Sequence, residues 1–275
     1  MNAVLTVATK EFRDGLRNRW VLAITVVFAL FAVGLAWFGA AAAGHVGFTG
    51  VATTVISLAT LAVFLIPLIA LMLAYDSIVG EDQQGTLLLL LTYPLSRSQL
   101  ITGKFLGHGA ILGLSTLVGF GVAGAVIGVL GEGVNTGQLV MGFGLFIASA
   151  LLLGWAFIGL AYLISVVVGD KAKAAGLALV VWFLFVLVYD LVLLALLVGT
   201  EGGVPSGVFQ ALLLFNPTDV FRLINLTGFE AAREYAGLAS IAGDAYSLTT
   251  MFLVLAAWAV APFLLALCLF RRRTA

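Results

Sequence analysis

Between Gly80 and Thr86 the chain reads Gly-Glu-Asp-Gln-Gln-Gly-Thr, two glycines with four residues between them in a run rich in acids. That spacing opens the phosphate-binding loop G-x-x-x-x-G-K-[ST], whose backbone amides cradle phosphates while the lysine reaches the terminal ones. Here Thr86 and Leu87 stand where Lys and Ser/Thr are needed, so the chain is not expected to hydrolyse ATP itself. No set of His, Cys, Asp and Glu has metal-ligand spacing. Met72, Met141 and Met251 are scattered and read as core filler, and the single Cys268 excludes a disulfide framework. Nor is there a Ser/His/Asp arrangement or a paired carboxylate suited to hydrolysis. Asp190, in FLFVLVYDLVLLALL, is the one acid deep in an apolar run. Such a group is costly and functional by default. It is expected to pair with Arg222 or to accept from a hydroxyl such as Tyr189, and a structural polar lock is the alternative.

The elements that must position these residues are set by composition. The chain has 275 residues, 63% apolar and 9% charged, against about 25% charged in soluble domains, and a mean hydropathy of +1.19. Apolar runs longer than ~20 residues indicate spanning helices rather than the ~10-residue alternating strands of a barrel. The expectation is an all-α integral membrane protein with six spans, at 20–43, 51–75, 104–130, 139–167, 175–199 and 248–270. Lys+Arg and Asp+Glu are each 13, so net charge says nothing about partners.

Residues 2–19 place Val4, Leu5, Ala8, Phe12 and Leu16 at helical spacing, with Lys10, Arg13, Arg17 and Arg19 around the polar side. That pattern suits a helix lying in the headgroup plane, in contact with membrane lipids. The first apolar run exceeds the ~7–15 residues of a signal core, so it is expected to be a retained first span and not a cleaved signal. With both termini cytoplasmic, 11 of the 13 basic residues fall inside, leaving only Arg222 and Arg233 outside, as the positive-inside rule requires. His45 and His108 are then expected near opposite faces.

The third span carries Gly103, Gly107, Gly109, Gly113, Gly119, Gly121, Gly124 and Gly128. The pairs Gly109/Gly113 and Gly124/Gly128 share a face and invite close approach of another helix. Pro67 in the second span predicts a kink or local unwinding. The outer loop 200–247 is expected to hold two short apolar helices broken by Asn216-Pro217, the second capped by Asp219, as a re-entrant or interfacial hairpin.

The cytoplasmic loop 76–103, running to Lys104, passes from Asp76, Glu81 and Asp82 through Gly85-Thr86 and five leucines to Pro94, Ser96-Arg97 and Gly103-Lys104. A short leucine-rich helix exposed between two spans needs a partner to cover it. This stretch resembles the signature of ABC-2-type permeases, the membrane subunits of ATP-binding-cassette exporters. The N-terminal helix, the six spans, and Asn216-Pro217 followed by Arg222 fit the same family, and the resemblance covers essentially the whole chain. Within it, the chain is most similar to the permease subunits of nitrous oxide reductase maturation systems, which support assembly of that enzyme's copper site.

The resemblance implies an ABC-2-type exporter fold in a bacterial inner membrane, working as a homodimer. It implies two copies of a separate cytoplasmic ATPase subunit, which would bring ATP and Mg; no cofactor is expected on this chain, and no nucleic acid. Residues 82–92 would be the coupling helix, capped by Thr86. Glu81, Asp82, Gly85, Thr86, Leu87, Leu88, Leu90, Leu91, Pro94 and Arg97 would face the ATPase. The narrower resemblance implies a periplasmic partner subunit and a copper chaperone, with Asn216, Pro217, Arg222, Glu230 and Arg233 as outer contacts. A copper-conducting path would show Met, Cys or His along the spans, and these spans show almost none. Export of a sulfur species or other small molecule, a non-transporting anchor and an ion-driven carrier are the alternatives. Several intramembrane charges would be expected of a carrier.

Overall fold

The computed structural model describes residues 2–17, 19–38, 50–131, 134–227 and 246–272. Helix α1 (Ala3–Arg17) meets α2 (Trp20–Phe38) at 67°, and Arg19 takes the positive φ of 53° near the corner. Then follow α3 (Val51–Ala74), the short α4 (Val79–Gln83) and α5 (Thr86–Thr92), and the long α6 (Arg97–Leu130) and α7 (Thr136–Val167). The next span is α8 (Lys171–Phe183), a π turn at Leu184–Val188, and α9 (Tyr189–Gly199). Helices α10 (Ser206–Leu214) and α11 (Pro217–Thr227) precede α12 (Leu248–Arg272). Among the described residues there is no strand. Five helical segments are long and apolar enough to cross a membrane, or six if the bent pair α1–α2 is counted as one span. The protein is thus an all-α, multi-pass membrane protein.

Helices begin earlier than the apolar runs because polar residues cap them. Ser96 and Gln99 form a reciprocal capping box that starts α6 at Arg97, two turns before Lys104. Asn135 accepts from Gln138 N to start α7, and Asp170 accepts from Lys173 N to start α8. At ~1.5 Å per residue the 34 and 32 residues of α6 and α7 exceed the ~30 Å hydrocarbon core. Their ends therefore reach beyond the hydrocarbon layer. Helix α3 runs unbroken through Pro67, so of the expected kink or local unwinding, the unwinding does not occur. Three residues earlier, the Phe64 carbonyl accepts the Trp182 indole N–H at 3.0 Å.

Helix α7 sits at the centre, packed by α3, α6, α11 and α12, and α8–α9 is the least buried span. The glycines of α6 explain its packing on two sides. Gly109, Gly124 and Gly128 receive Trp155, Phe143 and Leu139 of α7. A second row, unanticipated as a contact, faces the N-terminal helices: a Cβ at Gly103 would lie 2.6 Å from Val7 Cβ and 2.8 Å from the Val4 carbonyl. At Gly107 it would lie 2.6 Å from Glu11 Cβ and 3.0 Å from the Ala8 carbonyl, and at Gly119 2.6 Å from Phe28 Cβ. So α1 is pressed backbone-to-backbone onto α6, leaving Leu5 and Leu16 exposed.

Gly107→Ala must shift α1 bodily and should cost about 1–3 kcal/mol in reversible unfolding of the purified protein. Gly121→Ala, with nothing within 4 Å, should be neutral or slightly stabilising.

Candidate coupling site

The α3–α6 connection is not a free loop. Ser77 Oγ donates to the Ala74 carbonyl at 2.8 Å, and Ser165 Oγ of α7 accepts from Ile78 N and Val79 N at 2.9 and 3.1 Å. These amides are among the donors that a helix start leaves unsatisfied, so α7 supplies the cap of α4. Asp76 pairs with Lys171 at the start of α8 at 2.6 Å, and Gln83 donates to Asp170 at 2.9 Å.

At the centre of this layer is Lys104, 4% exposed. Its Nζ contacts Glu11 Oε1 of α1 at 2.8 Å and Glu81 Oε1 of α4 at 2.7 Å. One ammonium thus binds α1, α4 and α6 together. One turn on, His108 Nδ1 lies 2.8 Å from Tyr162 Oη, which is fully buried, and 3.5 Å from Ser77 Oγ. Burial pushes the Glu11 carboxyl up, but Lys104, aided by His108 and Lys10, outweighs this and leaves it below its ordinary value. The Glu11 contact therefore stabilises fully above the unfolded glutamate value of ~4.3 and is lost as pH falls through the lower folded value.

The expected coupling residues divide. Residues 82–92 are not one helix: Gly85, at φ 71°, separates α4 from α5, a left-handed position that glycine takes without strain. Gly85 therefore stands at the N-cap of α5, where Thr86 was expected; the Thr86 hydroxyl instead donates to the Glu81 carbonyl at 3.1 Å. Glu81 turns inward to Lys104. Leu87 is buried at 6%, while Leu88 and the unanticipated Leu89 and Tyr93 are 60%, 64% and 68% exposed. Leu90, Leu91 and Asp82 are half-buried, and Pro94 is exposed. Arg97 is half-buried, its guanidinium donating to the Phe270 carbonyl at 3.4 Å and lying over the Phe270 ring. It tends the C-terminal end of α12, where unpaired carbonyls favour a cation.

At the opposite end of the bundle a second polar cluster forms. Arg222 Nη1 binds both Asp190 and Asp219, the latter at 3.0 Å. Asn216 Nδ2 donates to Asp219 Oδ2 and to the Phe185 carbonyl in the π turn, both at 2.9 Å, and Thr218 Oγ1 donates to the same carbonyl at 3.2 Å. Asn216 and Pro217 are buried and Arg222 half-buried, so these three line the bundle rather than project outward as expected. Asn216, not Asp219, caps the second short helix, because Pro217 begins it and Asn216 Oδ1 accepts from Thr218 N. Of the two partners expected for Asp190, the structure selects Arg222; the Tyr189 hydroxyl donates to the Leu212 carbonyl at 2.7 Å. Glu230, Arg233 and His45 lie outside the described residues.

Glu11, Ser165 and Asp170 were missed in sequence. Their signals were slight: one buried-side acid in a basic helix, and hydroxyl or carboxyl groups at helix ends.

Removing Lys104 leaves two half-buried carboxylates facing each other. Lys104→Met should therefore lower stability by about 3–5 kcal/mol, read from unfolding of the purified protein. Adding Glu11→Gln and Glu81→Gln to that variant should recover most of the loss; a Lys104→Met protein as stable as the parent would contradict the pairing.

The profile of the family described as "ABC-2 family transporter protein" matches residues 5–275. The chain is 56% identical over 274 residues to the "Probable ABC transporter permease protein NosY" of Stutzerimonas stutzeri, covering 99% of both chains. It is 57% identical over 274 residues to the protein of the same name from Pseudomonas aeruginosa, again with 99% of both covered. This chain, built as a helical bundle in which Lys104 ties α1, α4 and α6 together, belongs to the ABC-2 transporter family and is an ABC transporter permease subunit.

Proposed function

We propose that the chain, as a homodimer in a bacterial inner membrane with both termini in the cytoplasm, converts the cycle of two separate ATPase subunits into movement of its spans. ATP and Mg belong to those subunits. The observation that carries this reading is the Lys104 clamp, because a push on α4–α5 then acts at once on α1 and α6. Leu88, Leu89 and Tyr93 beside the clamp offer apolar area for a cleft on the ATPase, and motion of the clamped unit would rock the spans against each other.

The cycle serves, on this reading, the copper-site maturation of nitrous oxide reductase through a periplasmic partner subunit and a copper chaperone. What supports it is the full-length likeness to the two NosY permeases together with the resemblance noted above. Movement is passed to the partner rather than copper to the lumen, since the spans offer only Met72, Met141, Met251, His108 and Cys268 as soft ligands. Export of a sulfur species remains the second reading, because the ligand-poor spans do not select against it.

Leu88→Glu with Leu89→Glu should abolish co-purification of the ATPase subunit while leaving the permease folded. Lys104→Met should keep the ATPase bound and lose ATP-driven output. Vesicles holding only the permease and its ATPase should take up no copper beyond ATP-free controls; ATP-dependent uptake would overturn the motion-transfer reading.

A further inference from the structure

The outer cluster contains two carboxylates and one cation on a single atom. Asp190 and Asp219 both contact Arg222 Nη1, and Asp219 is 4% exposed. With both acids ionised the cluster carries one uncompensated negative charge in an apolar bundle. No other described group can offset it. Helices α3, α7 and α10 contain no Asp, Glu, Lys, Arg or His, and the charges of α12 are Arg271 and Arg272 at its far end. Tyr189, on α9, is the remaining titratable neighbour, and its hydroxyl is engaged by the Leu212 carbonyl. Asn216 Nδ2 and the start of α11 favour an anion at Asp219. Against them stand desolvation and a second carboxylate on the same nitrogen, the arrangement in which like charges cannot both ionise cheaply.

We propose that Asp219 keeps its proton beside the Asp190–Arg222 ion pair, and that this neutral triad is the latch that holds α11 against the π turn between α8 and α9. Burial first, then Asp190, holds the Asp219 carboxyl above the usual carboxylate range. With the proton bound, Arg222 balances the one remaining anion, and Asn216 and Thr218 keep their bonds to the Phe185 carbonyl. A carboxyl raised on docking binds its proton more tightly in the docked state. Docking is therefore strongest at acid pH and weakens as pH rises through the raised value. Loss of the proton leaves two anions on one guanidinium nitrogen and loosens the N-terminal turn of α11. The latch makes the outer hairpin responsive to pH at the face where it lies, whatever the transporter serves.

The test uses the full-length permease in lipid nanodiscs, followed by infrared spectroscopy and by amide exchange of residues 217–227 corrected for intrinsic rates. The parent should show the carbonyl stretch of a protonated carboxylic acid at neutral pH, lost in Asp219→Asn and also in Asp190→Asn, where Asp219 can ionise beside Arg222. Exchange of 217–227 in the parent should rise with pH, by up to about tenfold per pH unit, the limit for release of one proton. It should be flat in Asp219→Asn, whose amide mimics the protonated acid. No protonated band sensitive to either residue would overturn the proposal, as would a pH response that persists in Asp219→Asn. Should Asp219→Asn fail to fold, the Asp190→Asn band and the parent's exchange decide it.

Discussion

The end of the bundle where α1, α4 and α6 meet depends on one buried ammonium shared by two carboxylates. Lys104 could not sit at 4% exposure in an apolar helix alone. Desolvation of a lone charge costs several kcal/mol, so its presence obliges Glu11 and Glu81 to come to it. That obligation in turn requires α1 to lie directly on α6, which Gly103 and Gly107 permit. It also requires α4, which continues on from α3, to be held against α7, and Ser165 does so by accepting from two free amides. Had α6 carried alanines in this row, α1 could not approach closely enough for Glu11 to reach.

The same logic links the two ends through α7. Ser165 near its inner end holds the start of α4, and Ser149, sixteen residues earlier, accepts from Asn225 of α11 at 2.9 Å. Those serines are separated by ~24 Å of helix at 1.5 Å per residue. The central helix thus has a polar grip at each end, on α4 through Ser165 and on α11 through Ser149, without any continuous polar path between them. The π turn gives the hairpin its purchase on the fifth span: it presents the Phe185 carbonyl to Asn216 and Thr218. Such π bulges recur at functional sites.

The membrane class and a set of five or six candidate spans were legible because they rest on composition and on long apolar runs. The pairing of Asp190 with Arg222 was legible as one of two alternatives, since an intramembrane acid needs a cation and few were available. What sequence hid were choices made by packing. Leu87 and Leu88 are chemically identical neighbours, and only the direction of α5 decides that one is buried and the other exposed. Glu81 looked like part of an acidic surface until α1 and α6 closed around it. The break at Asn216-Pro217 between two short helices was legible; that Asn216, Pro217 and Arg222 turn into the bundle was not, because the sequence does not show which way so short a helix pair faces.

If the shared Lys104 makes α1, α4 and α6 one moving unit, that unit should keep its internal distances while it moves against the rest. Spin labels at Gln84 and Thr9, with Leu253 on α12 as reference, can be read by double electron–electron resonance in complexes carrying one labelled permease, with and without trapped nucleotide. The prediction is an unchanged Gln84–Thr9 distance and a changed Gln84–Leu253 distance. A Gln84–Thr9 distance that shifts as much as the reference would contradict the clamp as the point of transmission.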